Sequence, residues 1–425
     1  MPDHHNRLEL RIFFQQLAEI RESSLRPQTR IELLARTLAA LGVEVTVHTG
    51  FPHYPDGAIA APYRNRPWLV ERRDGYSVVR SAVYPAPNRG FYRRLADHAT
   101  FGLSALATAR LSGPADAVVA ETPPLFTAAA AVAYAAVKRA ALIVNVADRW
   151  PASAVALGAL RDRRAIAAAS TLERFVYRHA DLIVAPTEGI VTALEREPAA
   201  HGRARRMWPV VDIDRFDPAP RADSPKPAPL ELLYAGTIGL AHGLQTLVEA
   251  CRLAGPEVVR TTIAGAGADA EHVRAAIDAG DVTNMRMLGT VTADRIPELY
   301  ASSDAAAVLI RDLEIFEGAL PTKMFEAMAA GRPLIIAARG ESAELVRAAG
   351  AGLVVEPGDP EALARACVQL HGDRELQLAL GSAGRRLAEG HFGARRAAEA
   401  WLEQLSAAAA ARRSARAAAD PYRAG

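Results

Sequence analysis

"LELLYAGTIGLAHGLQTLVEA", residues 230–250, is a buried-type apolar run that ends in glycine, turns through Gly236, Gly239 and Gly243, and continues as an amphipathic run with helical spacing. A strand, a glycine turn and a covering helix make the repeating unit of a parallel sheet. Glycines at such a turn let backbone N–H groups approach a phosphate closely, and the start of the helix adds partial positive charge. A tight strand-to-helix turn without a ligand has the same spelling, so both readings stand at this point.

The unit recurs in both directions. After it come the apolar runs "VRTTIAG", "MRMLG", "AAAVLI", "PLIIAA" and "GLVVEP", and before it "LRIFF", "VEVTVHT", "SVVRSAV", "AVVA", "ALIVNVA" and "LIVAP", with alanine- and leucine-rich helical stretches between. The chain therefore reads as α/β, two doubly wound Rossmann-like domains. A proline-rich stretch, "FDPAPRADSPKPAPLE", separates them as an extended linker. The expected division is residues 1–215, a linker over 216–230, a second domain over 231–390, and a terminal helix and alanine/arginine tail over 391–425, the helix returning to the first domain. Ligands in open α/β sheets bind outside the carboxyl ends of the strands, so the expected site is a central cleft that both sheets face.

Composition excludes several classes. At 425 residues the chain exceeds one ordinary core. A formal net charge of +2 with 23% charged residues gives no basic excess for nucleic-acid binding. The two cysteines, Cys251 and Cys367, are far apart in sequence and form neither a disulfide framework nor a metal cluster. The N-terminus lacks an apolar signal region, and the longest apolar stretch, "LFTAAAAVAYAAV" at 125–137, is too short to span a bilayer. A cytoplasmic location fits, with contact at the inner face of the cytoplasmic membrane discussed below.

Two further stretches bear on a site. "IAGAGADAEHVRAA", residues 263–276, has Gly265 and Gly267 but Ala270 in the third glycine position of a dinucleotide fingerprint, and it reads as a structural turn. "EGALPTKMFEAMAAGRP", residues 317–333, reads as a helix from about 322 to 330, with Thr322 as N-cap, a stripe of Met324, Phe325 and Met328, and a glycine-proline stop. Lys323 then lies in the first turn, where the helix dipole disfavours a cation, and Glu326 falls on the same face. Either the two form a surface pair with the lysine stem lying over apolar neighbours, or Lys323 and the helix end hold a phosphate while Glu326 accepts from ribose hydroxyls.

Taken in order, "LGVEVTVHTGFPHYPDGAI", "DRWPASAVALG", "LERFVYRHADLIVAPTEGI", "VDIDRFDP", "LLYAGTIGLAHGLQTLVEA", "GTVTADRIPELYASSDAAAVL" and "LPTKMFEAMAAGRPLI" resemble the retaining glycosyltransferases of family 4, which have the GT-B fold. The branch most similar is that of bacterial N-acetyl-L-fucosamine and colanic-acid-type sugar transferases. The resemblance implies a nucleotide-sugar donor, UDP favoured, and a hexosyl or N-acetylhexosaminyl group passed with retention to a hydroxyl of a glycan, a lipid-linked sugar or a small molecule. It implies no cofactor and no metal; "DID" at 212–214 reads as a turn.

By the same resemblance Glu326 binds the ribose, and Lys323 with Gly236, Thr237 and Gly239 lies at the diphosphate. Thr237 and His242 stand where many members carry an arginine and a lysine, leaving Lys323 and Arg311 to answer the charge. A second glutamate is expected eight positions before Glu326, where this chain has Gly318. Glu317 or the N–H groups of Gly318, Ala319 and Leu320 would then face the sugar, with Thr322 beside them. Asp148, after "ALIVNVA", is the candidate to orient the acceptor hydroxyl, with an N-cap or turn role as the plainer reading. Residues 15–30 lack the paired glycines usual after the first strand.

Residues 86–111 mix Arg89, Arg93 and Arg94 with Phe91, Tyr92 and Phe101, a composition suited to an anionic membrane surface or to a solvated helix with core aromatics. Two other functions share the architecture: a nucleotide-sugar 2-epimerase, for which His242 and Glu317 are a sparse acid/base set, and a noncatalytic nucleotide-sugar-binding protein.

Overall fold

A computed structural model describes residues 8–13, 30–53, 57–59, 61–86, 91–158, 160–219, 228–280 and 282–419. The chain forms two compact units, Met1–Val210 together with Ala394–Gly425, and Val211–Gly393.

The first unit holds an eight-stranded sheet: β1 Glu9–Phe13, β2 Glu44–Gly50, β3 Trp68–Arg73, β4 Tyr76–Ser81, β5 Ala117–Thr122, β6 Ala141–Val146, β7 Leu182–Ala185 and β8 Ala204–Arg206. Their spatial order is β3-β4-β2-β1-β5-β6-β7-β8, and every neighbouring pair is parallel except β3 with β4. Helices on both faces bury both sets of side chains, which is why β5 and β6 are apolar at consecutive positions. Leu10, Ile12, Val119 and Ile143 meet the helix Arg30–Ala40 and Ala397, Ala398, Trp401 and Leu405 of the helix Ala394–Ala419. Val118, Ala120, Leu142 and Val144 meet Phe101, Ala128, Tyr134 and Val176 on the opposite face.

Two strands go beyond the six expected here. β3 alternates between exposed and half-buried, so it lacks a continuous apolar run. Charge fixes it instead: the fully buried Arg80 of β4 donates from Nε to Glu71 of β3 at 2.9 Å, and Arg73 of β3 meets Glu32 at 2.8 Å. β8 has only three residues.

The alanine/arginine run stays helical to Ala419. Arg412 lies 3.3 Å from Asp181 and Arg413 3.1 Å from Asp116, and these two aspartates also accept the N–H groups of Leu142 and Glu9. The helix is thereby tied to groups that themselves hold the starts of β6 and β1.

The second unit holds six parallel strands, β9 Leu230–Ala235, β10 Val259–Ala264, β11 Met285–Gly289, β12 Ala305–Leu309, β13 Leu334–Ala337 and β14 Gly352–Val355, in the order β11-β10-β9-β12-β13-β14. All six coincide with the apolar runs of the sequence. The chain leaves β9 toward β10 on one side and later returns as β12 on the other, so the switch in strand order lies between β9 and β12.

The units meet along the chain at 210/211 and 393/394, a few residues from the divisions at 215 and 390 expected from composition. The reason is local: Val211 bridges to Gly393, the Arg385 guanidinium donates to the carbonyls of Ile213 and Phe216, and that of Arg332 to Ala219. The start of the proline-rich segment is thus bonded to the second unit, and residues 220–227 of it lie outside the described residues. Cys251 and Cys367 are both free and buried in the apolar core of this unit.

Candidate functional site

The switch point of the second unit gathers most of the candidate residues: the turn after β9, the end of β12 and the helix Thr322–Ala329. Open parallel sheets place ligands at such a point.

The turn after β9 is held against the next one. The N–H groups of Gly236 and Ile238 donate to the carbonyls of Ala264 and Ala266, both at 2.9 Å. A Cβ on Gly265 would lie 1.8 Å from the Gly236 oxygen, and one on Gly267 2.2 Å from the Ile238 oxygen. The Gly265–Gly267 pair is therefore demanded by backbone packing, in agreement with its reading as a structural turn. Gly236 has φ +141°, and a Cβ there would lie 3.0 Å from Cε and 3.3 Å from Nζ of Lys323. Gly239 has no such requirement, since its nearest neighbour to a Cβ is His242 Nδ1 at 3.5 Å.

The helix Thr322–Ala329 begins after Pro321, which takes the N-cap position without a side-chain bond. Thr322, expected as the cap, is the first helical residue, because the fixed φ of proline already supplies the extended turn into the helix. The helix closes as the sequence implies, with Gly331 at φ +64° and the N–H groups of Gly331 and Arg332 on the carbonyls of Met328 and Ala327.

Lys323 is 8% exposed, which excludes the surface pair with Glu326. Its Nζ donates to the hydroxyl of Tyr234 at 2.6 Å and sits 4.0 Å from that ring's centre. The Tyr234 hydroxyl donates in turn to the Thr237 carbonyl at 2.6 Å, and Tyr300 donates to the Lys323 carbonyl at 3.1 Å. An ammonium group is thus held beneath the glycine turn by a neutral hydroxyl. Burial pushes its pKa down to about 7, against a partial opposite pull from Glu326.

Glu326 is half-buried, and among the described residues its carboxylate makes no hydrogen bond or ion pair. Burial raises its pKa to about 7, opposed by the charges of Arg215 and Lys323. His242 is half-buried as well, with Nδ1 in no well-formed hydrogen bond among the described residues; burial first, then the Lys323 charge, lowers its pKa to about 4. It is a neutral group at neutral pH.

Arg311, exposed beyond the end of β12, lies along the turn: its N–H donates to Ala241 at 2.9 Å, its guanidinium to Leu240 at 3.3 Å, and its Cγ would be 3.2 Å from a Cβ on Gly243. Glu317 is exposed, and its backbone is anchored, since its carbonyl accepts from Glu341 N–H at 2.7 Å and leaves no room for a Cβ on Gly340. Gly318, Ala319 and Leu320 are half-buried, with the Ala319 N–H bonded to the Phe316 carbonyl at 2.9 Å and so occupied internally. Residues 212–215 form a 3-10 turn, as read from "DID".

Three residues at this site carry no mark in the sequence reading: Tyr234, Tyr300 and Arg215. A tyrosine at the last inward position of β9, just before the glycine turn, was the available signal for the first.

In the first unit Asp148 lies just past β6, exposed, and accepts from Ser153 Oγ at 2.8 Å. Within residues 86–111 Phe101 is fully buried and belongs to the core, while Arg93, Leu103, Arg110 and Leu111 are exposed. Arg89 lies outside the described residues, as do the side chains of Phe91, Tyr92 and Arg94. No helix among the described residues is long and apolar enough to cross a membrane.

Comparison with known proteins bears on the family and the fold. The family model "Glycosyl transferases group 1" matches residues 229–373, and "Glycosyl transferase 4-like domain" matches residues 27–209. Sucrose-phosphate synthase from Thermosynechococcus elongatus superposes with a TM-score of 0.74 at 17% identity, over 95% of this chain and 100% of that one. Anabaena HepE, solved with UDP-glucose, gives 0.68 at 17% identity over 94% and 100%. The fold is therefore GT-B, and the chain belongs to the glycosyltransferases that these two family models describe.

Among curated relatives, WcaI of Escherichia coli, described as a colanic acid biosynthesis glycosyl transferase, is 24% identical over 344 residues, 77% of this chain and 84% of WcaI. A Mycobacterium tuberculosis GDP-mannose-dependent phosphatidylinositol monomannoside mannosyltransferase is 33% identical over 195 residues, 42% of this chain and 49% of that protein.

Proposed function

We propose that the protein is a retaining transferase that moves a hexosyl or N-acetylhexosaminyl group from a nucleoside-diphosphate sugar, UDP favoured, to a hydroxyl of a glycan, lipid-linked sugar or small molecule. The observation that carries this reading is Lys323: a buried ammonium under the Gly236 turn, partnered among the described residues by a hydroxyl and by no carboxylate, with Glu326, also without a partner among them, one turn on. A diphosphate would give the lysine its missing counter-charge, and a ribose diol would give Glu326 its missing donors. The UDP-bound state of HepE supports the choice of nucleotide.

In the reaction the bond from the sugar carbon to the diphosphate oxygen breaks, and a bond from that carbon to the acceptor oxygen forms on the same face. Negative charge collects on the departing diphosphate, where Lys323 and backbone N–H groups stabilise it. A departing phosphate oxygen takes the acceptor's proton. Lys323 brings positive charge from the chain itself, so the step is drawn without a metal or cofactor. Arg311 stiffens the turn that carries Gly236, Thr237 and Gly239, and His242 fills it as a neutral group. Glu317 and the residues 318–320 border the sugar, and Asp148 orients the acceptor.

The exposed Arg93, Leu103, Arg110 and Leu111 support peripheral contact with an anionic membrane, which would suit a lipid-linked acceptor at the inner membrane face. Salt-sensitive partitioning onto anionic vesicles is expected; no partitioning at low salt would end that part of the reading.

Incubation with a panel of nucleotide sugars, each with lipid-linked and soluble acceptors, tests the whole. Transfer to an acceptor supports the proposal, donor isomerisation would assign an epimerase, and binding without turnover a noncatalytic protein.

A further inference from the structure

β3 closes one edge of the first unit's sheet and pairs with β4 alone. The register of that pair fixes which backbone groups it uses. Asp74 and Gly75 form a two-residue turn closed by Arg73 and Tyr76, and the Ala82 N–H donates to the Pro67 carbonyl at 3.1 Å. Bonded positions alternate along an antiparallel pair, so residues 67, 69, 71 and 73 face β4. The N–H and C=O groups of Trp68, Val70 and Arg72 therefore point away from it, and among the described residues they have no partner.

Proteins ordinarily blunt such an edge with a bulge, a proline, a very short strand or fixed charges. The opposite edge of the same sheet, β8, is short, with three residues. β3 runs for six residues in unbroken register and contains no proline. One of its faces carries Trp68 and Val70, 46% and 47% exposed, and then Arg72. Glu71 and Arg73 lie on the other face, committed to Arg80 and Glu32. Arg72 has no ion pair and Trp68 no ring contact among the described residues.

This strand is complementary to itself. A second copy related by a two-fold axis through Val70 runs antiparallel, with Trp68 opposite Arg72, Val70 opposite Val70, and Arg66 opposite Asp74. Directly opposed side chains lie on one face of a sheet and interact, and like charges there are unfavourable. Sliding the copies by two residues one way sets Arg66 against Arg72, and the other way Glu71 against Glu71. The register centred on Val70 avoids both.

We infer that a second copy of this chain docks on β3, antiparallel about Val70, so that the sheets of the two first units continue as one. Each of the pairs 68/72, 70/70 and 72/68 exchanges two N–H···O bonds. The Arg72 guanidinium lies over the Trp68 ring of the other copy, and the two-fold closes the assembly at a dimer. The contact is independent of the transferase reading. It is small for a protein interface, so its dissociation constant should be roughly micromolar.

Full-length protein is followed by sedimentation velocity from about 1 to 200 μM, a span that brackets such a constant, and by hydrogen exchange at both ends of that range. A monomer–dimer equilibrium is expected, with the amides of Trp68, Val70 and Arg72 exchanging more slowly in the concentrated sample. Val70→Lys sets like charges on the axis and should weaken the dimer roughly tenfold or more. Val70→Pro removes an N–H that β4 does not use, so it should break the dimer and leave the hairpin intact. Either variant serves if the other does not fold. Trp68→Ala and Arg72→Ala delete the same two contacts, so each should weaken the dimer roughly fivefold and the double variant no further. Val137→Lys, on an exposed position of the helix Leu125–Lys138, should leave association unchanged. A dimer indifferent to both substitutions of Val70, one lost equally in Val137→Lys, or additive losses in the double variant would overturn the inference. A monomer at every concentration would overturn it too, and would leave the edge to an extended segment of another protein.

Discussion

Replacing Lys323 by methionine should make the protein more stable and unable to hold its donor. The lysine pKa falls from 10.5 to about 7 on folding, and each unit is worth about 1.4 kcal/mol. The difference of about 3.5 units sets an upper bound of about 5 kcal/mol on the cost of keeping an ammonium at this position. Apolar replacement of buried ion pairs is often neutral or stabilising by about 1–4 kcal/mol, and a gain at the lower end of that range is expected here. Methionine keeps the length and volume of the stem under Gly236, and the Tyr234 hydroxyl keeps its bond to Thr237.

A melting temperature raised by a few degrees is therefore expected, together with UDP affinity lowered by roughly 10- to 100-fold, the loss of a charge-assisted hydrogen bond. Differential scanning fluorimetry and UDP titration calorimetry on the same preparations read both quantities. A variant that melts lower and binds UDP as well as before would refute the assignment, because it would make the lysine a structural group.

The same pair fixes a pH dependence. Lys323 loses its proton above pH 7 in the free protein and Glu326 gains one below it, so UDP affinity should peak near neutrality and fall by up to tenfold per unit on the alkaline side. Calorimetry in two buffers of different ionisation heat should report proton uptake on binding near pH 8, where Glu326 is already ionised, and no uptake there would contradict the lysine's role. For folding, a depressed lysine makes stability rise from pH 7 to 10.5, and a raised glutamate makes it fall from 4.5 to 7, so the pair's contribution is least favourable near pH 7. Gly265→Ala should cost about 2–4 kcal/mol in urea unfolding because its Cβ meets a backbone oxygen at 1.8 Å, whereas Gly239→Ala should be near neutral. Equal costs for the two would mean that the turns are not packed as described.

Buried parallel strands were legible because both faces are covered, which writes them as unbroken apolar runs. β3 escaped notice because its pairing depends on Glu71 and Arg73, residues that ordinarily mark a surface. Lys323 could be singled out from an electrostatic conflict, a cation at the positive end of a helix. Tyr234 was passed over despite its place before the glycine turn, since a tyrosine in an apolar strand looks like core and only the fold brings its hydroxyl to an ammonium 89 residues away. Arg215 was counted as the last residue of the first domain, and its charge acts on Glu326 only because residues 211–219 are bonded to the second unit.

The helix Ala394–Ala419 lends Trp401 and Leu405 to the core around β1, β5 and β6. The order in which the ribosome delivers the chain thus differs from the order in which the units become whole. Val211–Gly393 is complete once it emerges, while the unit synthesised first still lacks part of its interior until the final helix arrives. A stop codon near residue 393 would therefore harm the half of the protein made earliest and spare the half made last.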